Sequence, residues 1–295
     1  MILSIQNGRL GNQIFQYFFF KNIAKSNEKI FLFGFDDLKN LIEDDQLYFI
    51  TSKNNIICKF FIKIKWKIDK FFLKFKILNY IYEDYTSKQN KIVHLKGIIP
   101  QITYINGFFQ NQRFIKKKNF NNFKIKKGLI NDAKKEISKL KKDVNTKIIF
   151  VHLRGGDFKY WPSKKKPAFL PVKWYLRCIK NINHIYKNNK ITFIFFTDDK
   201  KFFFKKKIFI SNKYVFIKQN LINNFLMMSL SDGGILSPST YSWWPAFMSF
   251  SKNKNRIFFA PKYWIGHRSK EYFPKNFEYT SFLKYKIVNR SDYNE

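Results

Sequence analysis

The chain has 295 residues, 45% of them hydrophobic, with 56 Lys and Arg against 20 Asp and Glu and a net charge of +36. That hydrophobic content excludes a disordered chain, and no stretch reaches the roughly 20 apolar residues needed to span a bilayer. Two cysteines, Cys58 and Cys178, exclude a disulfide framework and lack metal-ligand spacing.

Residues 1–6 read as a short buried strand, 7–11 as a turn and 12–24 as a helix. Residues 59–78 fit an amphipathic helix, with Phe61, Ile64, Ile68, Phe72 and Phe75 on one face and Lys59, Lys63, Lys67, Lys70 and Lys74 on the other. Such a basic face suits an ordinary solvated surface or the plane of a membrane. Ile62–Ile68 also alternates as a strand would. A strand is expected within 98–109, a helix over 129–142, a strand over 148–153 and a helix from Pro171, in its first turn, to about His184. Strands over 191–196 and 214–217, a helix over 223–230, a short strand at Ile235-Leu236, a helix over 241–250 and a strand over 257–260 complete the order. Strands alternating with helices imply an α/β fold whose parallel sheet is covered on both faces. The polar stretch 141–146 is the expected boundary between two lobes, 1–143 and 144–295.

The charge invites a nucleic-acid reading. The lysines, however, are scattered rather than gathered, and Lys, Asn, Ile and Phe are in excess together, as an AT-rich coding sequence would produce. Nucleic acid is therefore not the expected partner. The basic surface still attracts anionic membrane or phosphorylated substrates at low salt. Met1 runs straight into Ile2-Leu3-Ser4-Ile5 without the pattern of a signal peptide, so cytoplasmic residence is the expectation.

Four segments carry chemistry. Ile148–Leu153 delivers His152, Arg154, Gly155, Gly156 and Asp157 to a strand end, where glycines admit close backbone approach and a guanidinium fork meets phosphate oxygens. A structural Arg–Asp ion pair is the plainer reading of that segment. Gly8-Arg9-Leu10-Gly11-Asn12-Gln13 lies between the first strand and helix, where Asn12 sits at or near the cap and either caps the backbone or contacts substrate. Asp198 and Asp199 end a strand and can accept from ribose hydroxyls or guanine N–H groups; Asp198 can equally cap a helix. A metal there is disfavoured, since no nearby His, Cys or further acid completes a ligand set. Ser237-Pro238-Ser239-Thr240-Tyr241 puts hydroxyls at a helix N-terminus, an anion site or a simple cap, and Trp243-Trp244 then anchor the helix.

Together with Gly107-Phe108-Phe109-Gln110 and Met228-Ser229, these segments resemble the bacterial α-1,2-fucosyltransferase family, glycosyltransferase family 11, along nearly the whole chain. The resemblance implies a GT-B-type fold, two Rossmann-like lobes with a cleft between them. It implies GDP-β-L-fucose as donor substrate, inversion at the anomeric carbon, and no metal or other cofactor. Arg154 would hold the diphosphate and neutralise charge on departing GDP. Ser239 and Thr240 would donate to the β-phosphate. His152, Asp198 and Asp199 would serve the nucleoside side, with Asp157 and Tyr241 in the same donor site. Arg9 and Asn12 resemble the reacting-centre residues of protein O-fucosyltransferases. The acceptor implied is a galactoside-type glycan, often lipid-linked, so that a basic stretch facing a membrane would make sense. The family's second central arginine is Gly155 here, its Asp-Asp pair is Asn223-Asn224, and its Ala-Asn pair is Ser237-Pro238. These departures leave two alternatives, a related transferase with another GDP-sugar or linkage and a basic polyanion-binding protein whose site has decayed.

Overall fold

The computed structural model describes residues 1–53, 55–85, 91–141, 143–201, 220–272 and 280–293, and the backbone of 214–216. The chain divides into two compact units, Met1–Lys126 and Lys127–Glu295. The division falls ahead of the polar 141–146 stretch, because the helix over 127–140 buries Ala133 and Ile137 within the second unit.

In the first unit, β1 (Ile2–Ile5) leads into α1 (Leu10–Ile23), β2 (Ile30–Phe33), α2 (Asp36–Leu41), β3 (Ile42–Glu43) and β4 (Leu47–Ile50). Then come α3 (Ile56–Lys63), α4 (Lys65–Phe75), β5 (Leu78–Asp84), β6 (Lys91–Leu95), β7 (Ile99–Asn106), α5 (Lys117–Asn121) and β8 (Lys124–Ile125). The main sheet runs β4-β2-β1-β7-β5-β6 and is parallel except at the β5–β6 pair. Helix α1 is apolar around most of its circumference, with Ile14, Phe15, Tyr17, Phe18, Phe19 and Phe20 all buried. Such a helix needs cover on every side. Part of that cover is Phe109, stacked on Phe19 with ring centroids 3.7 Å apart.

The single helix expected over 59–78 is two helices, broken at Ile64 (φ −98°, ψ 10°) and ended at Phe75. The break turns Lys65 inward. Its Nζ donates to Asp69 Oδ2 at 2.9 Å and to Asn106 Oδ1 at 2.6 Å, while Tyr104 OH donates to Asp69 Oδ1 at 2.8 Å. The five lysines of the expected basic face are exposed, and Phe61, Ile64, Ile68 and Phe72 are half-buried. Phe75, expected on the apolar face, is exposed. Cys58 is buried on α3, where its thiol donates to the Ile50 carbonyl at 3.0 Å.

The second unit runs α6 (Lys127–Leu140), β9 (Thr146–Leu153), α7 (Val172–Ile185), β10 (Lys190–Thr197) and β11 (Tyr214–Phe216). It continues through α8 (Leu221–Leu230), β12 (Gly233–Ile235), α9 (Thr240–Lys252), β13 (Ile257–Pro261) and β14 (Leu283–Lys286). Its sheet, β11-β10-β9-β12-β13-β14, is parallel throughout. Ile148–Leu153 is wholly buried, as a central strand with both faces covered must be. Trp174, Tyr175 and Cys178 of α7 fill the core on one face, and Trp243 and Trp244 are buried on α9. Pro171 stands at the N-cap of α7. Strand β11 lies where expected, but Ile217 is outside the described residues. Each unit is thus a Rossmann-like α/β layer structure.

Candidate functional site

Ligands of open parallel sheets bind beyond the strand C-termini, where strand order reverses. In the second unit that point lies between β9 and β12, since β10 and β11 extend to one side of β9 and β12, β13 and β14 to the other. In the first unit it lies between β1 and β7, with β2 and β4 on one side and β5 and β6 on the other. The residues singled out from sequence collect at these two places.

At the end of β9, His152 is buried and its Nδ1 lies 2.6 Å from Ser237 Oγ, just past β12. Burial, and then the Arg154 charge, push its pKa down to about 3, so it is a neutral imidazole. Its ring lies 5.5 Å from that of Tyr241 on α9. Arg154 Nη2 donates to Asp157 Oδ1 at 2.6 Å, and Nη1 lies 2.7 Å from Asp198 Oδ2. Its guanidinium also lies 5.2 Å from the centroid of the Phe158 ring. The plainer reading, an Arg–Asp pair at the strand end, is therefore realised. Asp157 is 58% exposed and Asp198 32%, however, so water screens both pairs.

Asp198 also accepts from the Gly155 N–H at 2.7 Å, tying the β9 turn to the end of β10. Gly156 holds φ +35°, a conformation that disfavours a side chain. A Cβ on Gly155 would come within 2.5 Å of Asp199 Cβ, so a side chain at this position requires the end of β10 to shift. Lys159, a residue that sequence reasoning missed, forms an ion pair with Asp199. Among the described residues, the site thus sets Arg154 and Lys159 among Asp157, Asp198 and Asp199. Ser239 caps α9, its Oγ accepting from Tyr241 N–H at 3.3 Å; Thr240 follows as its first residue, half-buried. Tyr241 OH donates to the Leu221 carbonyl at 2.7 Å, fixing the ring.

In the first unit, the cap of α1 is Arg9 rather than Asn12, with no side-chain cap hydrogen bond. The Leu10 N–H is taken by Asp37 at 3.2 Å. Burial raises the Asp37 pKa, and the nearby Arg9 charge opposes that rise. Asn12 folds over Gly8, whose φ of +79° leaves no room for a side chain. Its Oδ1 accepts from Gln110 Nε2 at 2.9 Å. Asn7 Nδ2 donates to Asn106 Oδ1 at 2.9 Å, closing β1 against β7. The 107–110 turn is held by buried Glu83, whose Oε2 accepts from the N–H groups of Phe108 at 3.0 Å and Phe109 at 2.7 Å. Gln13 spans the same loop, its Nε2 donating to Gln6 Oε1 at 3.0 Å and its Oε1 accepting from Leu38 N–H at 2.9 Å. Glu83, Gln110 and Gln13 were not picked out as site residues, because their partners lie far off in sequence or in the backbone.

The model of the family described as glycosyl transferase family 11 matches residues 1–268. The O-antigen biosynthesis glycosyltransferase WbnK of Escherichia coli is 29% identical over 133 residues, a match that covers 43% of this chain and 42% of that protein, less than half its length. Among solved structures, POFUT1 in complex with GDP-fucose superposes with a TM-score of 0.50 at 12% identity, covering 87% of this chain and 97% of that one. The fucosyltransferase NodZ from Bradyrhizobium gives 0.47 at 7%, covering 84% and 92%. The POFUT1 likeness is one of fold, and the two α/β units have the GT-B-type architecture.

Proposed function

The chain belongs to glycosyltransferase family 11, and on that footing we propose that it is an inverting, metal-independent transferase moving L-fucose from GDP-fucose to a hydroxyl, O-2 of a galactoside. The setting is assembly of surface glycan or O-antigen, on a glycan acceptor that can be lipid-linked, at the cytoplasmic face of an anionic membrane. Support for the O-antigen setting is the name of the partial relative WbnK.

One observation carries the donor reading. The His152–Ser237 hydrogen bond at 2.6 Å joins β9 to the segment after β12 at the switch point, so Arg154 and the α9 N-terminus open on one sheet edge. A guanidinium and a helix N-terminus together suit a diphosphate. Arg154 takes the diphosphate, with Asp157 and Asp198 holding its fork in plane. Ser239 and Thr240 donate to the β-phosphate. His152, Asp198, Asp199 and Tyr241 serve the nucleoside side. The acceptor oxygen attacks the anomeric carbon while the bond from that carbon to the β-phosphate oxygen breaks, GDP leaves with that bond's electron pair, and the hydroxyl proton passes to solvent water. Charge arriving on GDP meets the Arg154 guanidinium, which is where electrostatic preorganisation lowers a barrier most. Asn12 and Arg9 orient the acceptor hydroxyl.

Calorimetric titration with GDP in EDTA, beside UDP, tests the donor site. Micromolar binding of GDP alone supports it, and a transfer assay with GDP-fucose followed by NMR of the product linkage tests O-2. GDP and UDP bound alike and lost with salt would overturn it in favour of a polyanion-binding surface.

A further inference from the structure

Beneath α3 and α4 lies a cavity of about 470 Å³, within the first unit. Its lining includes Leu3, Ile5, Phe33, Phe61, Ile68 and Phe72. Lys67 and Phe71 are its exposed members and mark the mouth. The cavity is half-open to solvent rather than a sealed void, and its wall is apolar. Ser4 and Tyr104, the other polar side chains there, already donate inside the protein, to the Ile105 carbonyl at 2.9 Å and to Asp69 at 2.8 Å. A peptide or a sugar would lose its hydrogen bonds in such a space, whereas a hydrocarbon chain loses none.

The helices above reach the sheet through Phe61, Ile68 and Phe72, with the Phe72 and Tyr104 ring centroids 5.0 Å apart, and leave the cavity open beside these contacts. No side chain of α4 is fully buried, and the Lys65–Asp69–Tyr104 network holds it in place as a polar strut. Outside, the helix pair exposes Ile56, Ile57, Phe60, Trp66, Phe71 and Phe75 among Lys59, Lys63, Lys67, Lys70 and Lys74. Lys67 and Lys70 each lie over the Trp66 ring, at 5.5 and 5.1 Å from its centroid. Asp69 is the one acid in 56–75 and is engaged by Lys65 and Tyr104. Large apolar side chains interleaved with lysines fit the boundary between acyl chains and anionic headgroups.

We propose that α3 and α4 seat the protein on an anionic bilayer and that the cavity beneath them admits one hydrocarbon chain of a lipid, its headgroup charge met by Lys67. This deepens the membrane contact proposed above and does not depend on the donor site.

The test uses the full chain. Saturable one-to-one binding of cis-parinaric acid, read by its fluorescence, is expected, and Ile68→Trp, which fills the cavity, should weaken it at least about tenfold. Leu3→Phe reads the same lining should Ile68→Trp fail to fold. Sedimentation with phosphatidylcholine vesicles should require added phosphatidylglycerol and be lost in the triple variant Lys63→Glu, Lys70→Glu and Lys74→Glu. Calorimetric GDP binding should be unchanged in all these variants, so failure here is distinct from failure of the donor site. Parinaric acid binding that never saturates, or that a folded filling variant leaves unchanged, would overturn the proposal. So would vesicle binding indifferent to phosphatidylglycerol.

Discussion

Arg154 is the residue on which the proposed donor site turns, and in the structure its charge is met by two screened carboxylates, Asp157 and Asp198. Arg154→Ala should lower transfer about 10²–10³-fold and change stability by about 1 kcal/mol or less; steady-state kinetics beside thermal melts read both. Arg154→Lys should rescue little, since an ammonium cannot hold Asp157 and Asp198 in the fork geometry. Gly155→Arg would install the family's second arginine but drive its Cβ into Asp199. It should lower stability by about 1–3 kcal/mol, seen as a lower melting temperature, without raising activity. His152 and His267 give a pH signature. Burial is the first cause in each, taking them down to about 3 and about 4. The folded state keeps both neutral, while the unfolded chain protonates them near pH 6.5. The unfolded state therefore binds more protons below pH 6.5. Stability is full above that value and falls by up to about 1.4 kcal/mol per pH unit and group toward pH 4. Melts across pH 7 to 4 should show the slope, and His267→Gln should flatten it.

At the scale of elements, strand ends and helix starts do the positioning. Asn12 depends on the 107–110 turn, because Gln110 holds its amide oxygen and Glu83 holds the turn. Asn12→Ala and Gln110→Ala should both reduce kcat several-fold more than GDP affinity, measured by kinetics and calorimetry; equal losses would mean simple loss of structure at α1. Much of this layer was legible in sequence. An apolar run ending in His152, Arg154 and paired glycines is a strand end on any reading, and the Trp pair fixed α9 in the core. What was illegible depended on distant partners. Nothing near Lys159 points to Asp199, and nothing near Glu83 points to the backbone of Phe108. The break at Ile64 was hidden for the same reason, since local periodicity favours one long helix and only Asp69, Tyr104 and Asn106 draw Lys65 inward. The lobe boundary was placed too late because 141–146 is polar, whereas packing, not composition, assigns α6 to the second unit.

For the whole molecule, a net charge of +36 means that the folded chain repels itself. Added salt should therefore raise the melting temperature between low and physiological ionic strength, the reverse of what a chain held by surface ion pairs would do; calorimetric melts over a salt series decide it. Each unit has its own core, and each core holds one free thiol, Cys58 on α3 and Cys178 on α7. Cys178 is enclosed among Trp174, Tyr175 and Ile179, and burial takes its pKa up to about 12. Cys58 lies on a helix whose other side chains are exposed or half-buried. The two thiols are thus a pair of chemical clocks, one per unit. Under native conditions pulsed alkylation should mark Cys58 well before Cys178, and a lipid chain lodged beneath α4 should slow the first clock and leave the second running at its own rate.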